Sequence, residues 1–81
     1  MTYEFSPRGV CSRQMIFEVE DGIVRDLKVV GGCHGNLQGI AALVKGMKIE
    51  DVIARLDGIR CGGKSTSCPD QFAQALKEIS K

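Results

Sequence analysis

The chain lacks several features that would indicate a function directly. Among its 81 residues there is no tryptophan, and its aromatic residues are one tyrosine and three phenylalanines. The 11 basic and 10 acidic residues leave a formal net charge of +1, which argues against an electrostatic nucleic-acid binder. Tyr3, Phe5 and Phe17 are better explained as core residues than as a stacking platform. What remains is an ordinary globular composition, 43% hydrophobic and 26% charged.

Long apolar runs are also absent. No run approaches the roughly 18 residues of a membrane span, and the segment from Met1 to Arg8 lacks the basic and apolar regions of a secretory signal. We therefore expect a cytoplasmic protein in a reducing compartment, where disulfides are disfavoured. The length predicts a single domain over residues 1–81 with a thin stability margin that a bound metal would improve.

Catalytic constellations are missing as well. Glu50 and Asp51 fit a solvated first helical turn, and Glu18 and Glu20 fit an exposed strand face. His34 stands beside Cys33, but no third residue that would orient a nucleophile and base can be identified. Independent catalysis is not predicted.

The first 30 residues predict antiparallel strands. Alternation indicates a short edge strand at Thr2–Phe5 and a half-buried strand at Arg13–Glu20 with Met15, Phe17 and Val19 inward. Asp21-Gly22 is typical of a two-residue hairpin turn. The return strand should span Ile23–Val30, and its predicted inward residues are Ile23, Leu27 and Val29.

Three helices should follow, which gives an α+β fold with a small sheet of about three strands. The first has Asn36 as its predicted N-cap and Gly46 as its stop, with an apolar stripe at Leu37, Ile40, Ala41 and Val44. The second covers roughly Ile49–Leu56 and ends at Gly58. The third opens with Ser67-Cys68-Pro69-Asp70, in which Ser67 and Asp70 are predicted to form a capping box.

Residues 58–65 match the phosphate-binding pattern G-x-x-x-x-G-K-[ST]. A functional P-loop follows a buried parallel strand and precedes a helix that starts at the Lys-Ser pair. Pro69 lies only five residues after Lys64, and the chain is short. We therefore interpret the segment as a loop between Cys61 and Cys68 whose amides hydrogen-bond metal-bound sulfurs.

The most informative residues are four cysteines, Cys11, Cys33, Cys61 and Cys68. Their spacing, C-x21-C-x27-C-x6-C, contains no C-x2-C knuckle, so the chain must fold before the sulfurs meet. Four thiolates suit Zn(II) or an iron-sulfur cluster, and His34 is a possible substitute ligand. Redox or structural thiols and two disulfides are the alternatives. Cys68 lies at a predicted helix N-terminus, which favours its thiolate, although it can also pack as a small apolar residue.

Thr66-Ser67-Cys68-Pro69-Asp70 resembles the signature of the TSCPD family. The size, the four cysteines and the Gly-Gly-Cys-His-Gly-Asn turn at 31–36 are similar to its small stand-alone branch. That resemblance implies a metal-binding domain related to the C-terminal domain of adenosylcobalamin-dependent ribonucleotide reductases. It implies an accessory role in deoxyribonucleotide synthesis for DNA replication, with a reductase as protein partner, because 81 residues are too few for the catalytic barrel.

A weaker resemblance concerns iron-sulfur cluster scaffold proteins. Gly32-Cys33, Val44-Lys45-Gly46 and Glu50-Asp51-Val52 are similar to their middle region, although Met47-Lys48 replaces the usual Lys-Thr and a fourth cysteine is present. This implies a scaffold-like fold and an alternative role as a cluster or sulfur carrier. Our prediction is one zinc held by all four cysteines, with an iron-sulfur cluster or a thiol redox relay as alternatives. The oligomeric state is left open.

Overall fold

The computed structural model describes residues 1–7, 9, 12–31, 34–60, 63 and 66–80. Along these described ranges, three strands precede three helices, so the predicted α+β fold is confirmed. In chain order, the elements are β1 (Thr2–Phe5), β2 (Ser12–Glu20), β3 (Ile23–Gly31), α1 (His34–Val44), α2 (Ile49–Leu56) and α3 (Cys68–Ile79).

The strands form one antiparallel sheet in the order β1-β2-β3. β2 and β3 are joined at Asp21 and Gly22, whose φ angles of 54° and 74° are those of the predicted type I′ turn. At the opposite end of this hairpin, Ser12 pairs with Gly31. On β2, Met15, Phe17 and Val19 are buried as predicted, while Glu18 and Glu20 are exposed.

The inward face of β3 differs from the prediction near the turn. Glu18 pairs with Asp26 and Val19 with Val24, so Arg25 is an extra residue in β3. This bulge shifts the alternation by one position, because side chains on a strand change face at every residue. Val24 is consequently fully buried, whereas Ile23, which was predicted to point inward, is half-buried.

The helix bounds confirm two predicted stops and correct one predicted start. Gly46 and Gly58 have φ angles of 85° and 84°, the left-handed conformation expected after a helix. α1 begins at His34, so Asn36 lies inside its first turn and is not the cap. Gly35 does not prevent this earlier start, because a helical glycine costs only about 0.5–1 kcal/mol of backbone entropy relative to alanine. Along the described ranges, no helix has the length and apolar character needed to cross a membrane.

The segment between α1 and α2 pairs with the start of β3. The Gly46 amide donates to the Val24 carbonyl (2.8 Å), and the Val24 amide donates to the Met47 carbonyl (2.9 Å). The Ile49 amide, at the start of α2, donates to the Gly22 carbonyl (2.9 Å). These backbone bonds hold the C-terminal end of α1 and the start of α2 beside the hairpin turn.

One apolar cluster joins the sheet to the helices. It contains Met15, Phe17, Val19, Val24, Leu27, Val44, Val52, Phe72, Ala75 and Leu76. Phe17 of β2 meets Phe72 of α3 edge-on with ring centroids 5.3 Å apart, and Tyr3 of β1 stacks on Phe17 at 5.5 Å. These are favourable aromatic arrangements, so the predicted core role of the N-terminal aromatic residues is confirmed.

Candidate metal centre

Ser67 caps α3 and also reaches the chain that follows α2. Its hydroxyl oxygen accepts a hydrogen bond from the Asp70 amide (3.2 Å), and the hydroxyl donates to the Ile59 carbonyl (2.7 Å). Pro69 lies in the first turn, where its missing N–H costs nothing. The predicted cap is therefore confirmed, and the buried Ser67 side chain additionally joins the segment around Ile59 to the start of α3.

Asp70 accepts more hydrogen bonds than a capping box requires. Its carboxylate accepts from the Gly58 amide (2.7 Å), the Thr66 hydroxyl and the Gln74 side-chain amide (3.3 Å). The predicted capping box gave this carboxylate one donor, the Ser67 amide, and that return bond is not among the hydrogen bonds of the described residues. Among these three donors, Gly58 is supplied by tertiary structure, because it lies 12 residues away along the chain, whereas Thr66 and Gln74 are each four residues from Asp70.

These contacts shift the ionisation of the buried Asp70 carboxyl. The hydrogen bond from Thr66 lowers the pKa of Asp70 below its ordinary value of 3.8, and the bonds from Gly58 and Gln74 act in the same direction. Burial opposes this shift by disfavouring the charged form. The hydrogen bonds outweigh burial, so Asp70 is a stable carboxylate at neutral pH.

Cys68 is the predicted ligand whose surroundings are described. It is the first residue of α3, half-buried, and it packs against the apolar core. His34 is the first residue of α1. Cys11, Cys33 and Cys61 lie outside the described residues, so their predicted roles as ligands stay predictions.

Near each of the four cysteines in the sequence lies a described residue that contacts a residue near another of the cysteines. Ser12, next to Cys11, pairs with Gly31, two positions before Cys33. A Cβ added to Gly9, two positions before Cys11, would lie 3.4 Å from Cγ2 of Thr66, two positions before Cys68. The Ile59 carbonyl, two positions before Cys61, accepts the hydrogen bond from Ser67. These pairwise contacts link the chain neighbourhoods of all four cysteines.

Comparison with known families supports the resemblance of the 66–70 segment. The family model of the TSCPD domain matches residues 1–80, essentially the whole chain. The chain belongs to the TSCPD domain family. No curated protein and no solved structure matches the chain. The assignment to the small four-cysteine branch and the resemblance to iron-sulfur scaffold proteins stay predictions.

The signature of this TSCPD domain therefore has a structural explanation. Thr66, Ser67 and Asp70 form a hydrogen-bonded junction between the end of α2 and the start of α3, and Gln71 donates to the Thr66 hydroxyl oxygen (3.0 Å). Sequence reasoning missed Thr66 and the Gly58 amide. A usable signal was the spacing of Thr66 and Asp70, since short polar side chains three or four residues apart at a helix start often hydrogen-bond locally.

The described part of the TSCPD domain does not test the metal prediction. Among these residues, no group of three or more His, Cys, Asp or Glu side chains is arranged to hold a metal ion. Three of the four predicted ligands lie outside the described residues. Zinc and the alternative iron-sulfur cluster therefore stay predictions.

The phosphate-loop pattern at 58–65 lies in the wrong structural context. The element before Gly58 is α2, whereas a P-loop follows a parallel strand, and the sheet of this domain is antiparallel. The Gly58 amide donates to the Asp70 carboxylate, so it is already engaged by the protein's own anion. This geometry favours the interpretation of the segment as a connecting loop.

Proposed function

We propose that this TSCPD domain is a zinc-binding module of the cytoplasm that serves ribonucleotide reduction as an accessory domain. In this proposal, Cys11, Cys33, Cys61 and Cys68 hold one Zn(II) in a closed, structural site. The observation that carries it is a set of contacts between described residues within two positions of the cysteines: Ser12 with Gly31, Gly9 with Thr66, and Ser67 with Ile59.

Chain geometry supports a shared site. Each cysteine is at most two positions from one of these paired residues, and two residues of extended chain span about 7 Å. The chain between each cysteine and its nearest paired residue is therefore short, which is compatible with ligation of one common ion. Four thiolates complete a tetrahedral shell around zinc, and such a shell stabilises a small domain by making metal binding part of folding.

The signature residues Ser67 and Asp70 fix the backbone on one side of the proposed site. Ser67 and Asp70 hold the first turn of α3 against the Gly58 and Ile59 backbone, so the chain enters the segment containing Cys61 from a defined position. A closed metal site depends on such supports, because residues around the ligands set their orientation. We expect the Ser67 and Asp70 contacts to contribute to metal affinity as well as to stability.

The proposed link to ribonucleotide reduction comes from family membership. The TSCPD domain resembles the C-terminal domain of adenosylcobalamin-dependent reductases, and its described fold is a three-stranded sheet with three helices and not a catalytic barrel. The corresponding role is docking to a reductase. If the Cys61 and Cys68 thiols instead relay electrons, they must be uncoordinated, so zinc occupancy separates the two roles.

The first test is metal analysis, with a visible spectrum and a thiol titration, on protein purified anaerobically without chelator. About one equivalent of zinc with no accessible thiol is the expected result for a closed site. Iron with sulfide and visible absorption would replace the proposal by the cluster-carrier alternative. Four reactive thiols without metal would replace it by the redox relay.

Substitution of single ligands makes the test specific. Cys33→Ser and Cys68→Ser should each lower zinc content and melting temperature together, because binding energy is folding energy in such sites. His34→Gln is the matched control and should retain both. Full zinc occupancy with unchanged melting in the cysteine variants would refute four-cysteine ligation, and loss of zinc in His34→Gln would assign the histidine as a ligand.

The accessory role needs its own measurement. Zinc-loaded domain should bind an adenosylcobalamin-dependent ribonucleotide reductase in a pull-down with purified components, and the Cys68→Ser variant should bind less. Absence of binding, together with unchanged deoxyribonucleotide formation when the domain is added, would contradict the role while leaving the metal proposal intact.

A further inference from the structure

The outer side of α1 is unusual for a helix on a protein surface. None of its 11 residues is Lys, Arg, Asp or Glu. Over residues 37–44, the part of α1 whose side chains are described, the exposed positions are Gln38, Gly39, Ala42 and Leu43, and Leu43 is 76% exposed. Surface helices normally place charged residues on the side opposite the core. The described solvent-exposed side of α1 therefore carries no charge and includes an apolar side chain that does not belong to the core.

A groove lies beside this side, between the C-terminal half of α1 and α2. Its volume is 380 Å³, and its walls include Ile40, Leu43, Met47 and Leu56. Among the described residues that line it, Arg55 is the one that carries a charge. The groove thus combines a mostly apolar wall with one cation, and its size is within the range of pockets that accept a few large side chains.

The charges around the groove distinguish between possible occupants. Arg55 is exposed, and within the described ranges it forms no ion pair. Lys45, next to the lining residue Val44, is paired with Asp26 at 3.5 Å. A second copy of the chain docked through the same side would present uncharged α1 and another Arg55. An occupant that carries a carboxylate is electrostatically complementary.

We propose that this groove binds an amphipathic helix of another protein. Two or three large apolar side chains of the partner enter the groove, and an Asp or Glu of the partner lies opposite Arg55. Helix-in-groove recognition uses this combination of apolar anchors and a matching charge. The proposal is independent of the metal site, since Leu43 is nine positions, about 13 Å of helix, beyond His34 at the start of α1.

The probe is a displayed library of random peptides of about 16 residues, long enough for four helical turns. It is selected in parallel against the purified full chain and three variants, Leu43→Gln, Arg55→Glu and Arg25→Glu. Leu43 and Arg55 are exposed, so both variants should stay folded; Leu43→Gln should leave the circular-dichroism melting curve unchanged, and Arg55→Glu, in the last turn of α2, should lower the melting temperature only slightly. Arg25→Glu makes the same charge change on β3 and serves as the matched control.

The expected result is enrichment of peptides with large apolar residues at helical spacing and at least one Asp or Glu. The best peptide should bind Leu43→Gln and Arg55→Glu about tenfold more weakly or worse in fluorescence anisotropy, and Arg25→Glu equally well. Selection on Arg55→Glu should favour Lys and Arg instead.

Three results would overturn the proposal. They are enrichment without a charge preference, affinity unaffected by Leu43→Gln and Arg55→Glu, and a dimer in sedimentation analysis that Leu43→Gln dissociates. The last result would assign the groove to a second copy of this chain.

Discussion

The Asp70 carboxylate offers the sharpest test of how the TSCPD signature stabilises the domain. Asp70→Asn keeps the side-chain shape but removes the negative charge of the carboxylate. The oxygens of this carboxylate accept hydrogen bonds from the Gly58 amide and the Thr66 hydroxyl. Asp70 is only 7% exposed, so water does not replace the lost partners easily. The substitution should loosen the junction between the end of α2 and the start of α3.

The magnitude follows from those bonds. Hydrogen bonds to charged groups contribute about 1.5–3 kcal/mol each, and an asparagine retains part of them through its own oxygen and by rotation of the Thr66 hydroxyl. We expect a net loss of about 1.5–3 kcal/mol in the free energy of unfolding at pH 7. For a domain of this size, the melting temperature should fall by about 6–24 °C.

The same argument gives a pH dependence with a definite sign. The folded-state pKa of Asp70 is below 3.8, whereas the unfolded chain titrates near its ordinary value. The carboxylate's contribution is fully present above roughly pH 5 and is lost as the pH falls through the folded-state pKa. The stability difference between wild type and Asp70→Asn should therefore shrink below about pH 4.

The assay is urea unfolding followed by circular dichroism at several pH values, with zinc content measured for each sample. Asp57→Asn is the matched control, because Asp57 is an exposed carboxylate paired with Lys77 at 3.0 Å. Exposed pairs contribute about 0–1 kcal/mol, so its effect should be small. Equal losses in the two variants, or a loss in Asp70→Asn that is the same at pH 3 and pH 7, would refute the reasoning.

Three further substitutions test the cap, the turn and the shifted strand. Ser67→Ala should lower the free energy of unfolding by about 0.5–2 kcal/mol in chemical denaturation. Ser80→Ala, at the exposed end of α3, should lower it little, and similar losses in the two variants would contradict the capping role. Gly22→Ala should cost about 1–2 kcal/mol, because φ is 74° there, whereas Gly39→Ala inside α1 should be neutral or stabilising. Val24→Ala should cost about 2 kcal/mol, because Val24 is fully buried; an unchanged unfolding midpoint would show that the bulge does not set this face.

Local patterns in the sequence determined most of the secondary structure. Alternation in β2, the Asp21-Gly22 turn and the stops at Gly46 and Gly58 depend on residues a few positions apart, and the structure agrees with each. Ser67 as the cap of α3 belongs to the same group, because a cap and the amide it accepts from are three residues apart.

Only the tertiary structure decided the remaining features. The bulge at Arg25 depends on how β3 pairs with β2, and the additional partner of Asp70 is 12 residues away, so no local pattern contains either. The cysteine spacing indicated a shared site but not which segments meet. The contacts of Gly9 with Thr66 and of Ser67 with Ile59 show which segments meet, because the start of α3 packs against the chain that follows α2 and against the segment after β1.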